Sequence, residues 1–219
     1  MSRIAIVGGH GKVAQHLHSA LVARGHTPVA LVRKEEHRAQ LEALGAEVRM
    51  LDIEKNDAAG FAEAFTGTDA VVFAAGGGGD GDIERKRTVD LEGSLKSIEG
   101  ARLAGIARFV QVSVIGADAP LPDDTSDVWR AYVEAKRDAD AALRDSDLAW
   151  TIVRPGALTD DPATGQVALG VEVDRGDITR ADVAEVIAAI LGDDDTAGQQ
   201  CNVVNGSASI DEAVQALRA

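Results

Sequence analysis

The feature that most constrains this chain is an alternation of short Val, Ile, Leu and Ala runs with longer stretches whose apolar residues fall at helical spacing. The runs cover residues 4–7, 28–32, 47–51, 70–74, 108–112 and 149–153, and the helical stretches cover 12–24, 35–44, 58–65, 83–104 and 128–144. Near-continuous apolar runs suit strands covered on both faces, hence a parallel sheet. Strand and helix in alternation predict right-handed βαβ crossovers. The expected fold is therefore α/β, a Rossmann-type doubly wound parallel sheet in three αβα layers. Thr179 with Asp182, and Ser209 with Glu212, have capping-box spacing and start two further helices, with a short strand at 201–204 between them. Residues 155–176 are Gly-rich without a strong period. Ligands in such folds sit beyond the carboxyl ends of the strands, so 155–180 is the expected substrate side of a single domain spanning 1–219.

Composition excludes several classes of function. With 22 Lys and Arg against 36 Asp and Glu the formal net charge is −14, which opposes binding to nucleic acid. Cys201 is the single cysteine and leaves no internal disulfide. The apolar run at the start is too short for a signal peptide, and no other stretch has the length of a membrane span. No membrane association and a cytoplasmic location are expected. His10, His16, His18, His26 and His37 belong to no metal-binding pattern, so no metal site is expected. The acidic triplet at 193–195 reads as a solvated helix exit, and the glycine run at 76–80 as a loop that flexes beside a ligand or as a solvated turn.

The first run leads directly into Gly8, Gly9, His10 and Gly11 and then a helix, with the spacing Gly8-x-x-Gly11-x-x-Ala14. Glycines let the backbone turn tightly and approach a pyrophosphate, and the helix N-terminus presents free N–H groups and partial positive charge to it. The loop, with Lys12 and Val13 in the first helical turn, is thus a candidate dinucleotide grip. The second run ends in Arg33 and Lys34, where an NAD-preferring protein usually carries an acidic residue for the ribose 2′-hydroxyl. A basic residue there pairs instead with a 2′-phosphate, which makes NADP the expected cofactor ahead of NAD. The alternative is that both are solvated loop charges, as the adjoining Glu35 and Glu36 would suit.

In this order the pieces resemble the short-chain dehydrogenase/reductase superfamily, in its atypical NAD(P)H-binding, NmrA-like and sugar-epimerase-like members. The resemblance covers nearly the whole chain. It runs through the glycine loop, Val32 and Arg33, Asp52 and Ile53, the stretch from Phe73 to Gly76, Val89 to Gly93, the strand closing at Ser113, Val153 to Gly156, and Ile178 to Ala184. It implies that Asp52 and Ile53 border the adenine, that Ala74, Ala75 and Gly76 line the path toward the nicotinamide, and that Pro155 joins them. Taken by itself, Asp52 is equally a strand-end cap.

The same resemblance bears on catalysis. Tyr132 and Lys136 have the superfamily's Tyr-x-x-x-Lys spacing, four apart and so on one helix face. It implies that the Lys136 ammonium lowers the Tyr pKa and binds the nicotinamide ribose, while Tyr132 exchanges a proton with the substrate oxygen. The other reading is a surface pair on an amphipathic helix. Ser113 falls where the superfamily places a hydroxyl, but Val114 stands where relatives often have a second one, which leaves Ser113 as assistant or as strand-end cap. Asp90 resembles a polar supporting position, or is a helix-surface carboxylate. The leading expectation is an NADP-dependent oxidoreductase acting on a small carbonyl or alcohol. The alternatives are a sugar-nucleotide epimerase or reductase and a non-catalytic redox sensor, as a monomer or homodimer.

Overall fold

A computed structural model describes residues 1–78 and 81–218. Six strands alternate with helices in the first part of the chain: β1 (Arg3–Val7), α1 (Lys12–Ala23), β2 (Thr27–Val32), α2 (Arg38–Ala43), β3 (Glu47–Met50), α3 (Ala58–Ala64), β4 (Ala70–Phe73), α4 (Ile83–Arg85), α5 (Glu92–Leu103), β5 (Arg108–Val112), α6 (Asp127–Arg144) and β6 (Ala149–Pro155). There follow β7 (Ala157–Thr159), β8 (Gln166–Gly170), β9 (Asp177–Thr179), α7 (Arg180–Leu191), β10 (Gln199–Asn205), β11 (Ala208–Ser209) and α8 (Ile210–Ala216). The nine-stranded main sheet has the order β11-β8-β10-β6-β5-β4-β1-β2-β3. The pairs from β3 through to β10 are all parallel.

Both faces of this sheet are covered, as the continuous apolar runs require. Along β1, Ile4 and Ile6 enter the core packed with α1, α7 and α8, whereas Ala5 and Val7 enter the opposite core with Phe61, Phe65 and Phe109. Buried apolar surface contributes roughly 25 cal/mol per Å², so this two-sided burial is the main force fixing strand register.

Three expectations need correction. The segment 155–176 is not irregular: β8 joins the main sheet antiparallel to β10, and β7 pairs with β9 in a small parallel sheet. These strands are short, mixed in burial and bounded by Gly, too brief for a period to emerge. The stretch 83–104 is not one regular α-helix, because a wide π-type turn spans Lys86–Leu91 between α4 and α5. The acidic triplet is only partly solvated, since the Asp193 carboxylate accepts from the Arg218 guanidinium at 2.6 Å and its side chain is 9% exposed. Gly79 and Asp80, on which the expected loop mobility partly falls, lie outside the described residues. Among the described residues no helix is long and apolar enough to cross a membrane.

Strand order reverses between β1 and β4. The loop after β1 and the segment after β4 therefore diverge to opposite sides, leaving a crevice at the carboxyl ends of the strands.

Candidate cofactor and active site

The glycine loop borders this crevice and packs too tightly on the segment after β4 to carry a side chain at Gly8. Gly8 has φ +80°, and a Cβ there would stand 2.7 Å from the Ala75 Cα. Gly11 caps α1 with extended backbone and no side-chain cap, leaving the first turn's N–H groups facing the crevice. A cradle in which a glycine loop brings bare backbone to the edge of the crevice, at an uncapped helix N-terminus, fits a dinucleotide pyrophosphate. His18 holds the loop from beneath. Burial pushes its pKa down, so the neutral ring donates Nε2–H to the Gly9 carbonyl at 2.7 Å. Replacing Gly8 with Ala is expected to cost about 1–3 kcal/mol of backbone strain, and more from the Ala75 contact. NADPH titration should show lost affinity alongside a lower Tm; unchanged binding would remove the loop from the grip.

Two hollows meet at the loop. One, a cleft of about 330 Å³, is bordered by Gly8, His10, Arg33, Lys34, Asp52 and Ile53. The other, a chamber of about 920 Å³, is walled by Val13, Ser113, Trp129, Tyr132, Pro155 and Leu158. Gly11, Ala74 and Gly76 border both hollows, so the cleft and chamber adjoin along the strand ends. Most of the candidate cofactor residues thus surround one crevice, with Ala75 on the cleft wall and Lys12 on the chamber wall, whereas Gly9 packs against Ala30 and the buried Lys136 borders neither hollow. Asp52 borders the cleft and is also a cap, accepting from the Glu54 N–H at 3.1 Å. Arg33 is half exposed and 3.8 Å from the Glu54 carboxylate, while Lys34 pairs with Glu36 at 3.0 Å. His10 stacks on His37 with ring centroids 3.5 Å apart.

The Tyr and Lys pair is no surface feature. Ser126 caps α6, and along its inner face Tyr132, Lys136 and Asp140 follow at four-residue intervals. Lys136 is 4% exposed; its ammonium donates to the Ala75 and Val112 carbonyls, each at 3.2 Å, and lies 3.2 Å from the Asp90 carboxylate. Burial alone would lower its pKa, but Asp90 and then Tyr132 hold it above the ordinary lysine range. Asp90 is fully buried, not a helix-surface carboxylate, and its second oxygen accepts from the Gly77 N–H at 2.8 Å. Lys136 pulls the Tyr132 pKa down as expected, but it is not the larger effect. Burial raises the phenol above its usual range, and the pull of Lys136 only partly offsets this.

Ser113 lies just beyond β5 with its hydroxyl donated to Asp140 at 2.7 Å. The same carboxylate accepts from Gln111 at 2.6 Å and from two nitrogens of Arg154 at 2.9 and 2.7 Å. Ser113 is thus tied into a buried network and is also on the chamber wall. Sequence reasoning missed this network and Lys86. Asp140 was detectable as the next four-residue step after Tyr132 and Lys136, whereas Lys86 carries no local signal.

The model of the NAD(P)H-binding family matches residues 8–194. This chain belongs to that family. Its members of the atypical short-chain dehydrogenase/reductase type include close structural relatives. The "Uncharacterized sugar epimerase YhfK" of Bacillus subtilis is 37% identical over 216 residues, covering 98% of this chain and all of that protein. A Bacillus halodurans protein, provisionally described as an NAD-dependent epimerase/dehydratase, superposes with a TM-score of 0.91 at 39% identity, covering 99% of this chain and 100% of that one. The oxidoreductase ylbE of Lactococcus lactis superposes with a TM-score of 0.88 at 30% identity, covering 98% and 96%. Family membership agrees with the geometry at the crevice, where glycine loop, β4 segment and α6 converge.

Proposed function

We propose that this chain is an NADP-dependent oxidoreductase interconverting a small carbonyl compound and its alcohol, with Tyr132 as acid and base and Lys136 as its electrostatic partner. The observation that carries the reading is the placement of Tyr132, on the wall of a chamber that adjoins the cradle, beside a buried, charged Lys136. The glycine loop and first turn of α1 would hold the pyrophosphate, and Asp52 and Ile53 would border the adenine. When bound, the nicotinamide supplies or accepts hydride. Tyr132 then gives its phenolic proton to the substrate oxygen in reduction and takes it back in oxidation. Lys136, held by Asp90, keeps positive charge next to that phenol and stabilises it as the proton leaves. Ser113 can assist only as an acceptor while its proton serves Asp140.

Arg33 supports NADP over NAD, because its half-exposed guanidinium borders the cleft with only a 3.8 Å contact to Glu54 to give up. Arg33→Ala is expected to weaken NADPH binding by roughly tenfold or more, the worth of one charge-assisted hydrogen bond, and NADH binding little. Equal loss for both cofactors in a fluorescence titration would assign Arg33 to the solvated surface.

The direct test is loss of reduced-nicotinamide absorbance when the protein is mixed with NADPH and a panel of aldehydes, ketones and quinones. Turnover supports the oxidoreductase. Saturable NADPH binding without turnover on any acceptor favours a non-catalytic sensor, the reading that Val114 and the commitment of Ser113 to Asp140 would suit. The name of the Bacillus subtilis relative motivates a third arm with nucleotide sugars, in which epimerisation would use the same Tyr132.

A further inference from the structure

Lys86 has no part in the chemistry above, yet it is 5% exposed. It opens the π-type turn between α4 and α5, a kind of turn that often marks functional sites. Its ammonium donates to the Gly78 carbonyl and lies 5.8 Å from the Tyr132 ring centroid, on the wall of the large chamber. Burying an ammonium is costly unless an anion compensates it. The chamber's other wall cations are compensated, since Lys12 and Arg180 share the Asp160 carboxylate at 2.6 and 2.7 Å. Asp90 is engaged by Lys136 on one oxygen and by the Gly77 N–H on the other. Among the described residues Lys86 has no carboxylate partner, only a carbonyl dipole and an aromatic face.

We infer that Lys86 anchors an anionic group of the substrate, so that the chamber takes a carboxylate-bearing carbonyl compound whose flat apolar part lies against Trp129 and Leu158. The inference rests on the chamber being the substrate site. A cofactor phosphate is the other source of negative charge, but the cradle for it is at the N-terminus of α1, whereas Lys86 faces Tyr132.

Equilibrium binding tests this without turnover. Benzoate and benzamide share a shape and differ in charge, and Trp129, whose ring centroid is 5.2 Å from that of Tyr132, provides a fluorescence readout. With the full chain saturated with NADP, benzoate is expected to bind on the order of tenfold to a hundredfold more tightly than benzamide. Lys86→Gln should abolish that preference by weakening benzoate alone, and Lys86→Arg should restore most of it. Equal binding of the two probes by the unaltered protein, no benzoate binding up to its solubility, or a preference that survives Lys86→Gln overturns the inference. So does a Lys86→Gln loss of NADPH affinity as large as the loss for benzoate, which would assign the lysine to the cofactor. Failure of NADP to bind at all is seen earlier in the same titration and counts against the oxidoreductase reading instead. The benzoate pair is then run on the free chain and decides Lys86 by the same criterion.

Discussion

Tyr132→Phe is expected to lower kcat for carbonyl reduction by about 10²–10⁴-fold, the usual worth of a positioned general acid. NADPH affinity should be retained, because the phenol borders the chamber and not the cradle. The ring itself contributes packing against Trp129 at 5.2 Å and under the ammonium groups of Lys86 and Lys136 at 5.8 and 5.9 Å, and phenylalanine preserves all three contacts. A fall in rate is then a loss of the proton and not of the site. The pH profile gives a second check. Burial holds the phenol above its usual range, so the acid needed for reduction is present through neutral pH and is lost as pH rises through that raised value. Oxidation needs the phenolate and should rise over the same alkaline interval. Equal rates in the variant and the unaltered protein would take Tyr132 out of the mechanism while leaving the family assignment intact.

Asp140→Ala is expected to destabilise the fold by about 3–5 kcal/mol, the cost of leaving a buried charge without its partner. Asp140 is fully buried and accepts four hydrogen bonds, two of them from an Arg154 whose side chain is 5% exposed. Asp118 remains to Arg154 at 2.6 Å but is itself half exposed and reaches only the other arm of the guanidinium. The expected drop in Tm is roughly 6–20 °C for a chain of this size. Ser113→Ala removes a single neutral donor and should cost only about 1 kcal/mol. A thermal melt of the Asp140 variant within roughly 2 °C of the unaltered protein would show that the network is not structural. Comparable loss in both variants would show that its members act as one unit.

These expectations also separate what was legible along the chain from what was not. The six parallel strands, the helices between them and the glycine loop follow from local physics. Apolar runs must be covered on both faces, and glycines between a strand and a helix mark a tight turn, although the lack of room that Ala75 leaves at Gly8 was visible only in the fold. The pairing of Tyr132 with Lys136 is likewise local, since four residues are about one helical turn. By contrast, β8 was hidden because five residues of mixed burial beside glycines carry no readable period, and its partner β10 lies over thirty residues on. The charge states at the centre were hidden for a different reason. Lys136 is charged because a π-type turn more than forty residues earlier brings in Asp90, and Ser113 gives its proton to Asp140 because α6 lies across the end of β5. Periodicity and spacing report which face a residue occupies on its own element. Which partner it meets there depends on how elements distant in sequence pack, and burial makes that partner decide the energetics.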